Sequence, residues 1–148
     1  MGVHHIGIAV ADMERSLRFY RDGIGCQVIF EQEFEKDWQK LVGTPAKRMK
    51  AVLLAHPENP ACPIELIKFE DAVARKPRTE PPTALFLVAF TLADVPATKA
   101  RLAALGFGGF IDEFSEIGGH RIDVTFVRDP DGTVVELASL ANVQAANL

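Results

Sequence analysis

The chain contains the same pattern twice. HHIGIAVADMERSLRFY, from His4, aligns without a gap on FLVAFTLADVPATKARL, from Phe86, at an offset of 82 residues. Ile6, Ile8 and Val10 fall on Val88, Phe90 and Leu92, and Ala11-Asp12 falls on Ala93-Asp94. Each copy alternates like a strand, reaches an aspartate, and then changes to helical spacing. Two similar strand–helix units are therefore expected, and 148 residues suit one domain or two small modules sharing a core.

Both helices carry start and stop signals. Asp12 and Asp94 stand where an N-cap carboxylate accepts backbone N–H groups, and Pro96 falls in a first turn, where its missing N–H costs nothing. Met13, Leu17, Tyr20 and Ile24 form the apolar stripe of the first helix; Val95, Leu102 and Leu105 form that of the second. Gly23 and Gly106 are expected to end the two helices.

Three more strands follow each helix. In the first half they are expected at Cys26–Phe34, Lys47–His56 and Cys62–Phe69, with a short helix in the extra piece around Asp37–Pro45. In the second half they are expected at Gly108–Ile111, Arg121–Val127 and Thr133–Ala138, with RDPDG (Arg128–Gly132) turning the chain between the last two. The fold class is thus α+β, two βαβββ modules. The first occupies 1–70 and the second 84–140. A polar, proline-bearing linker at 71–83 joins them, and a tail covers 141–148.

Composition excludes several functions. Sixteen Lys and Arg against twenty Asp and Glu give a net charge of −4, the wrong sign for a phosphate-neutralising nucleic-acid binder. No apolar run approaches the roughly 18 residues of a membrane helix, and MGVHHIGIAVAD reads as a first strand, not a signal peptide. Cys26 and Cys62 make neither a disulfide framework nor a zinc cluster, which suits two thiols in a reducing cytoplasm. There is no Gly-rich phosphate loop, G-x-S-x-G elbow or CxxC.

Three residues stand out as lone polar groups in apolar strands. Alternation puts Ile6, Ile8 and Val10 on one face of the first strand, toward the helix, and His5, Gly7 and Ala9 on the other. Glu65 sits in Pro63-Ile64-Glu65-Leu66-Ile67, and Glu136 in Val134-Val135-Glu136-Leu137. A carboxylate in such a strand is exposed, paired, protonated or metal-bound, because burying it bare is costly. One alone reads as an edge residue in water; two at matching places, together with His5, point to a metal site.

The pattern HHIGIAVAD near the start, IELIKF closing the first module and FVRDPDGTVVEL closing the second resembles the vicinal oxygen chelate superfamily, the glyoxalase, bleomycin-resistance and extradiol-dioxygenase group. The resemblance runs from His4 to about Leu140. It implies curled mixed sheets around a shared cavity, a homodimer, and a metal held by one residue from the first and one from the last strand of each module. His5, Glu65 and Glu136 match three of those positions. The fourth falls on Leu87, which binds no metal, so the sequence departs from the four-ligand pattern. That departure counts against glyoxalase I-type, methylmalonyl-CoA epimerase-type and ordinary extradiol chemistry.

One imidazole and two carboxylates suit a divalent Mn, Fe, Co, Ni or Zn ion with positions open to substrate oxygens. The resemblance implies a cytoplasmic lyase, isomerase or epimerase acting on a small oxygenated molecule through an enolate-type intermediate. Glu136 or Glu65 would be its base. A ring-cleaving dioxygenase and a drug-binding protein without chemistry are the alternatives. His120, Arg48, Trp38 and Leu87, with Phe34, are expected around the substrate; no nucleic-acid or membrane partner is expected.

Overall fold

The computed structural model describes residues 3–72 and 87–146, and the chain divides into two compact units, Met1–Lys76 and Pro77–Leu148. Each unit is a four-stranded mixed sheet with a helix after its first strand. The expected linker lies almost wholly outside the described residues. Among those residues no helix is long and apolar enough to cross a membrane.

The first unit runs β1 (Ile6–Ala9), α1 (Met13–Leu17), β2 (Gln27–Glu35), α2 (Gln39–Val42), β3 (Arg48–His56) and β4 (Asn59–Phe69). The strand order is β1-β4-β3-β2, with β1 parallel to β4 and the rest antiparallel. Asp12 caps α1 as expected, its carboxylate accepting the Arg15 N–H at 3.1 Å. Ile8, Val10, Met13, Leu17, Tyr20 and Ile24 are all buried, so the aliphatic face of β1 and the helical stripe belong to one core. One stop signal was misplaced. The helix continues beyond α1 as a π-helical stretch, Arg18–Ile24, and ends at Gly25, whose φ of 103° is left-handed. Gly23 lies buried inside that stretch, because the wider turns carry the helix past it.

The second unit runs β5 (Leu87–Leu92), α3 (Val95–Ala104), β6 (Ile111–Ile117), β7 (His120–Arg128), β8 (Val134–Ser139) and α4 (Leu140–Ala145). The order β5-β8-β7-β6, with β5 parallel to β8, reproduces the first unit strand for strand. Asp94 caps α3 through the Ala97 N–H at 2.8 Å, and Gly106 ends it at φ 87°. In the RDPDG turn Asp129 accepts the N–H groups of Asp131 (3.0 Å) and Thr133 (2.7 Å). The strand expected at Gly108–Ile111 lies further on: Gly109 takes a φ of 76°, and pairing starts only at Ile111. Every residue of β6 is exposed, so this edge strand lacks the apolar alternation that marks a half-buried one. The tail forms α4, a short helix not anticipated.

Candidate functional site

The register of the two parallel pairs fixes where the lone carboxylates stand. Glu65 lies opposite Gly7 on β1 and opposite Leu53 on β3; Glu136 lies opposite Ala89 on β5 and opposite Phe126 on β7. Gly7 and Ala89 are equivalent positions of the repeat, so each unit holds one half-buried glutamate at the same node of its sheet. Both project from the face opposite the helix, because their neighbours Ile64 and Leu66, and Val135 and Leu137, are buried on the helix side.

In the first unit a second polar group meets the carboxylate. Nε2 of His5 lies 3.5 Å from Oε2 of Glu65, with side-chain exposures of 39% and 19%. Two donors bound at ~2.1 Å to one tetrahedral ion stand about 3.4 Å apart, so this imidazole and carboxylate are spaced as two ligands of one ion would be. The same contact is an ion pair when His5 is protonated, worth little at such exposure. Among the described residues no group of three or more His, Cys, Asp and Glu side chains is gathered to hold an ion.

In the second unit the position equivalent to His5 is Leu87, opposite Val134 and one alternation step before Ala89. Leu87 therefore shares its sheet face with Glu136 as His5 shares one with Glu65, but offers no lone pair.

The same nodes are covered in both sheets, by unrelated elements. In the first unit Trp38, at the start of α2, packs on Met49, Ala51, Ile67 and Phe69, its ring edge-on to Phe69 at 5.8 Å. In the second, Val143 of α4 and Ala146 pack on Ile122, Val124, Ala138 and Phe126. Ala51 pairs with Ile67 as Val124 pairs with Ala138, so the covered nodes correspond. They adjoin the glutamate node, two residues and roughly 7 Å along the strand. Trp38 thus forms a wall beside Glu65, and its buried Nε1 has no hydrogen-bond partner.

Other expected substrate residues stand elsewhere. Arg48 donates to Glu70 at 2.9 Å. The Lys47 backbone N–H, at 2.6 Å, and then the Arg48 guanidinium hold the Glu70 carboxyl below the usual carboxylate range. Arg48 is five residues from Leu53 along β3, about 16 Å, and alternates to the opposite face from Glu65. A surface depression of about 530 Å³ lies at that end, lined by Glu35, Lys36, Lys47 and Arg48. His120 is exposed at the tip of the β6–β7 hairpin, where Gly118 and Gly119 take positive φ as a two-residue turn requires. It lies six residues from Phe126, about 20 Å along the strand from the Glu136 node. Phe34 is an exposed residue of β2.

His4 meets His5 through its other ring nitrogen. Nδ1 of His4 lies 2.8 Å from Nδ1 of His5. Pairing begins at Ile6, so alternation along β1 does not fix where the His4 ring lies. The adjacent pair His4-His5 was the visible signal.

A pair of βαβββ modules, each with a glutamate from its closing strand on the face away from its helix, defines the class: this is the glyoxalase fold. The chain belongs to the Glyoxalase/Bleomycin resistance protein/Dioxygenase superfamily, whose sequence profile matches residues 2–137. It is 34% identical over 146 residues to the lactoylglutathione lyase-like protein terB of Aspergillus terreus, covering 93% of this chain and 74% of terB. Among solved structures, the trypanothione-dependent glyoxalase I of Leishmania major superposes with a TM-score of 0.67 at 22% identity, over 99% of this chain and 92% of that one. A glyoxalase family protein from Bacillus cereus superposes with a TM-score of 0.69 at 20% identity, over 93% and 92%. These two likenesses establish the fold.

Proposed function

We propose that the protein is a divalent-metal-dependent enzyme acting on a small oxygenated organic molecule, in which His5, Glu65 and Glu136 are the metal ligands. The observation that carries this reading is the 3.5 Å contact of His5 Nε2 with Glu65 Oε2, opposite a glycine on a sheet face away from the core. One nitrogen and carboxylate oxygens are the donor set of Mn, Fe, Co, Ni and Zn. A bound ion would supply Lewis-acid stabilisation of oxyanion charge on the substrate. The chain's own contribution is a base: a carboxylate can take a proton from carbon next to a polarised oxygen and return it elsewhere, as an isomerase, epimerase or lyase requires. Glu136 is the base of choice, since Leu87 gives its module no second ligand to share the ion; Glu65 is the other. The name of terB, a lactoylglutathione lyase-like protein, supports lyase-type chemistry. Trp38 would wall the substrate beside Glu65, and Leu87 would present an apolar surface to it. A homodimer in the cytoplasm completes the proposal.

The test is calorimetric titration of chelator-stripped protein with Zn²⁺, Mn²⁺ and Co²⁺. The expected result is stoichiometric binding, lost in His5→Ala and weakened in Glu65→Gln and Glu136→Gln. Absence of stoichiometric binding, or variants that bind like wild type, would overturn the reading. Leu87 in the place of an imidazole favours a second reading, a binding protein without chemistry. Tight ligand capture by metal-free protein would support it.

A further inference from the structure

His5 meets a different partner with each ring nitrogen. Nε2 faces Glu65 at 3.5 Å. Nδ1 faces Nδ1 of His4 at 2.8 Å, with the rings edge to face at 85° and their centroids 5.1 Å apart. Two ring nitrogens at that distance need one proton between them, because two bare lone pairs repel and two N–H groups clash. The position of that proton decides what Nε2 can do. A neutral imidazole carries one proton, so His5 has a lone pair at Nε2 only when the proton sits on Nδ1.

We propose that His4 is the positioning residue of His5. It accepts the Nδ1 proton and thereby holds His5 in the tautomer whose Nε2 lone pair is available for a divalent cation beside Glu65. This rests on the reading of His5 and Glu65 as metal ligands. The contact also fixes the ring orientation that aims Nε2 at Glu65. A ligand histidine held by a partner at its other nitrogen binds its metal more tightly than a free one, because the ring is pre-oriented and its basicity raised. His4 precedes the paired part of β1 and is exposed, so its removal leaves the core contacts of Ile8 and Val10 in place.

The experiment is Zn²⁺ titration by calorimetry of wild type, His5→Ala, His4→Ala and His4→Asn, with ¹⁵N imidazole spectra of the zinc-loaded proteins. An asparagine amide oxygen can stand near the place of Nδ1 and accept the same proton. The expected result is zinc binding about 10- to 100-fold weaker in His4→Ala, with most of the loss recovered in His4→Asn. In the wild-type spectrum His5 should show an Nδ1–H protected from exchange with water, and that protection should vanish in His4→Ala. Zinc affinity unchanged in His4→Ala, or no recovery in His4→Asn, overturns the proposal while the metal reading stands, provided His5→Ala loses binding. If His5→Ala binds zinc like wild type, the metal reading itself falls and the proposal with it.

Discussion

Gly7 and Ile67 divide one space between them: a Cβ built on Gly7 would stand 2.9 Å from Cδ1 of Ile67. The second unit divides the same space differently. Its equivalents are Ala89 and Ala138, two residues beyond Glu136 as Ile67 is beyond Glu65. Ala89 carries a methyl where Gly7 has none, and Ala138 carries three carbons fewer than Ile67. Gly7→Ala should change stability by less than about 1 kcal/mol, because the gain from a stiffer unfolded chain is offset by displacement of one terminal methyl. Ile67→Ala should cost about 2 kcal/mol, since Ile67 packs under Trp38. The double variant should be more stable than the sum of the two by ~0.5–1 kcal/mol. Urea unfolding of the four proteins reads this directly; strict additivity would mean the two side chains do not compete.

Trp38 combines a large apolar contact with an unsatisfied polar atom, and the two can be separated. Trp38→Ala removes the ring from Met49, Ala51, Ile67 and Phe69 and should cost about 3 kcal/mol. Trp38→Phe keeps a ring against Phe69 and deletes the Nε1–H that has no partner. Burial of an unpaired donor costs roughly 1–3 kcal/mol, so this variant should fall within about 1 kcal/mol of wild type despite the smaller ring. Equal destabilisation in both would mean that the N–H is satisfied in solution. Trp38 is the single tryptophan of the chain, so its fluorescence reports on the surface beside Glu65.

The two thiols should behave oppositely. Cys62 is exposed and Cys26 is buried, and burial pushes the Cys26 thiol up to about 12. At pH 8 a disulfide reagent should modify one thiol quickly in the folded protein and the second only after unfolding. Stability carries the same signature. Below about pH 9 the Cys26 proton is held in both folded and unfolded chains, and the buried neutral thiol contributes in full. Between about 9 and 12 the unfolded chain ionises while the folded one does not, so that contribution is lost as pH rises. Cys26→Ala should show a shallower loss of stability over this window in urea titrations; an identical slope would show that Cys26 ionises freely in the fold.

The fold was legible because the repeat is carried by buried residues. Ile8, Val10, Val88 and Leu92 alternate strictly and are packed, and Asp12 and Asp94 cap their helices through N–H groups three residues on. What escaped lies where burial does not dictate sequence. β6 is exposed throughout, Gly25 rather than Gly23 ends a helix widened by π turns, and α4 covers its sheet with little more than Val143 and Ala146. The His5–Glu65 pair could be found because lone polar residues in apolar strands are conspicuous. The His4–His5 contact was signalled only by the adjacency of the two histidines, since it depends on where pairing begins and no periodicity encodes that.

Leu87 offers a test confined to one unit. His5 is one alternation step from Gly7, the partner of Glu65, and reaches its carboxylate; Leu87 is one step from Ala89, the partner of Glu136. Leu87→His should therefore build against Glu136 the contact that His5 makes with Glu65. Leu87 is half-buried at the start of β5, so the polar ring can keep water at its edge and the cost should stay near 1 kcal/mol. If the proposed ligands act together, the added imidazole should tighten zinc binding at least tenfold, since imidazole is a good donor for this ion. Calorimetry on wild type, Leu87→His and the double variant Leu87→His/Glu136→Gln separates the causes. The gain should appear in the first variant and disappear in the second. A folded Leu87→His protein that binds zinc no better than wild type would show that the second module's strand start does not face the ion, and the assignment of Glu136 as a ligand would fall with it.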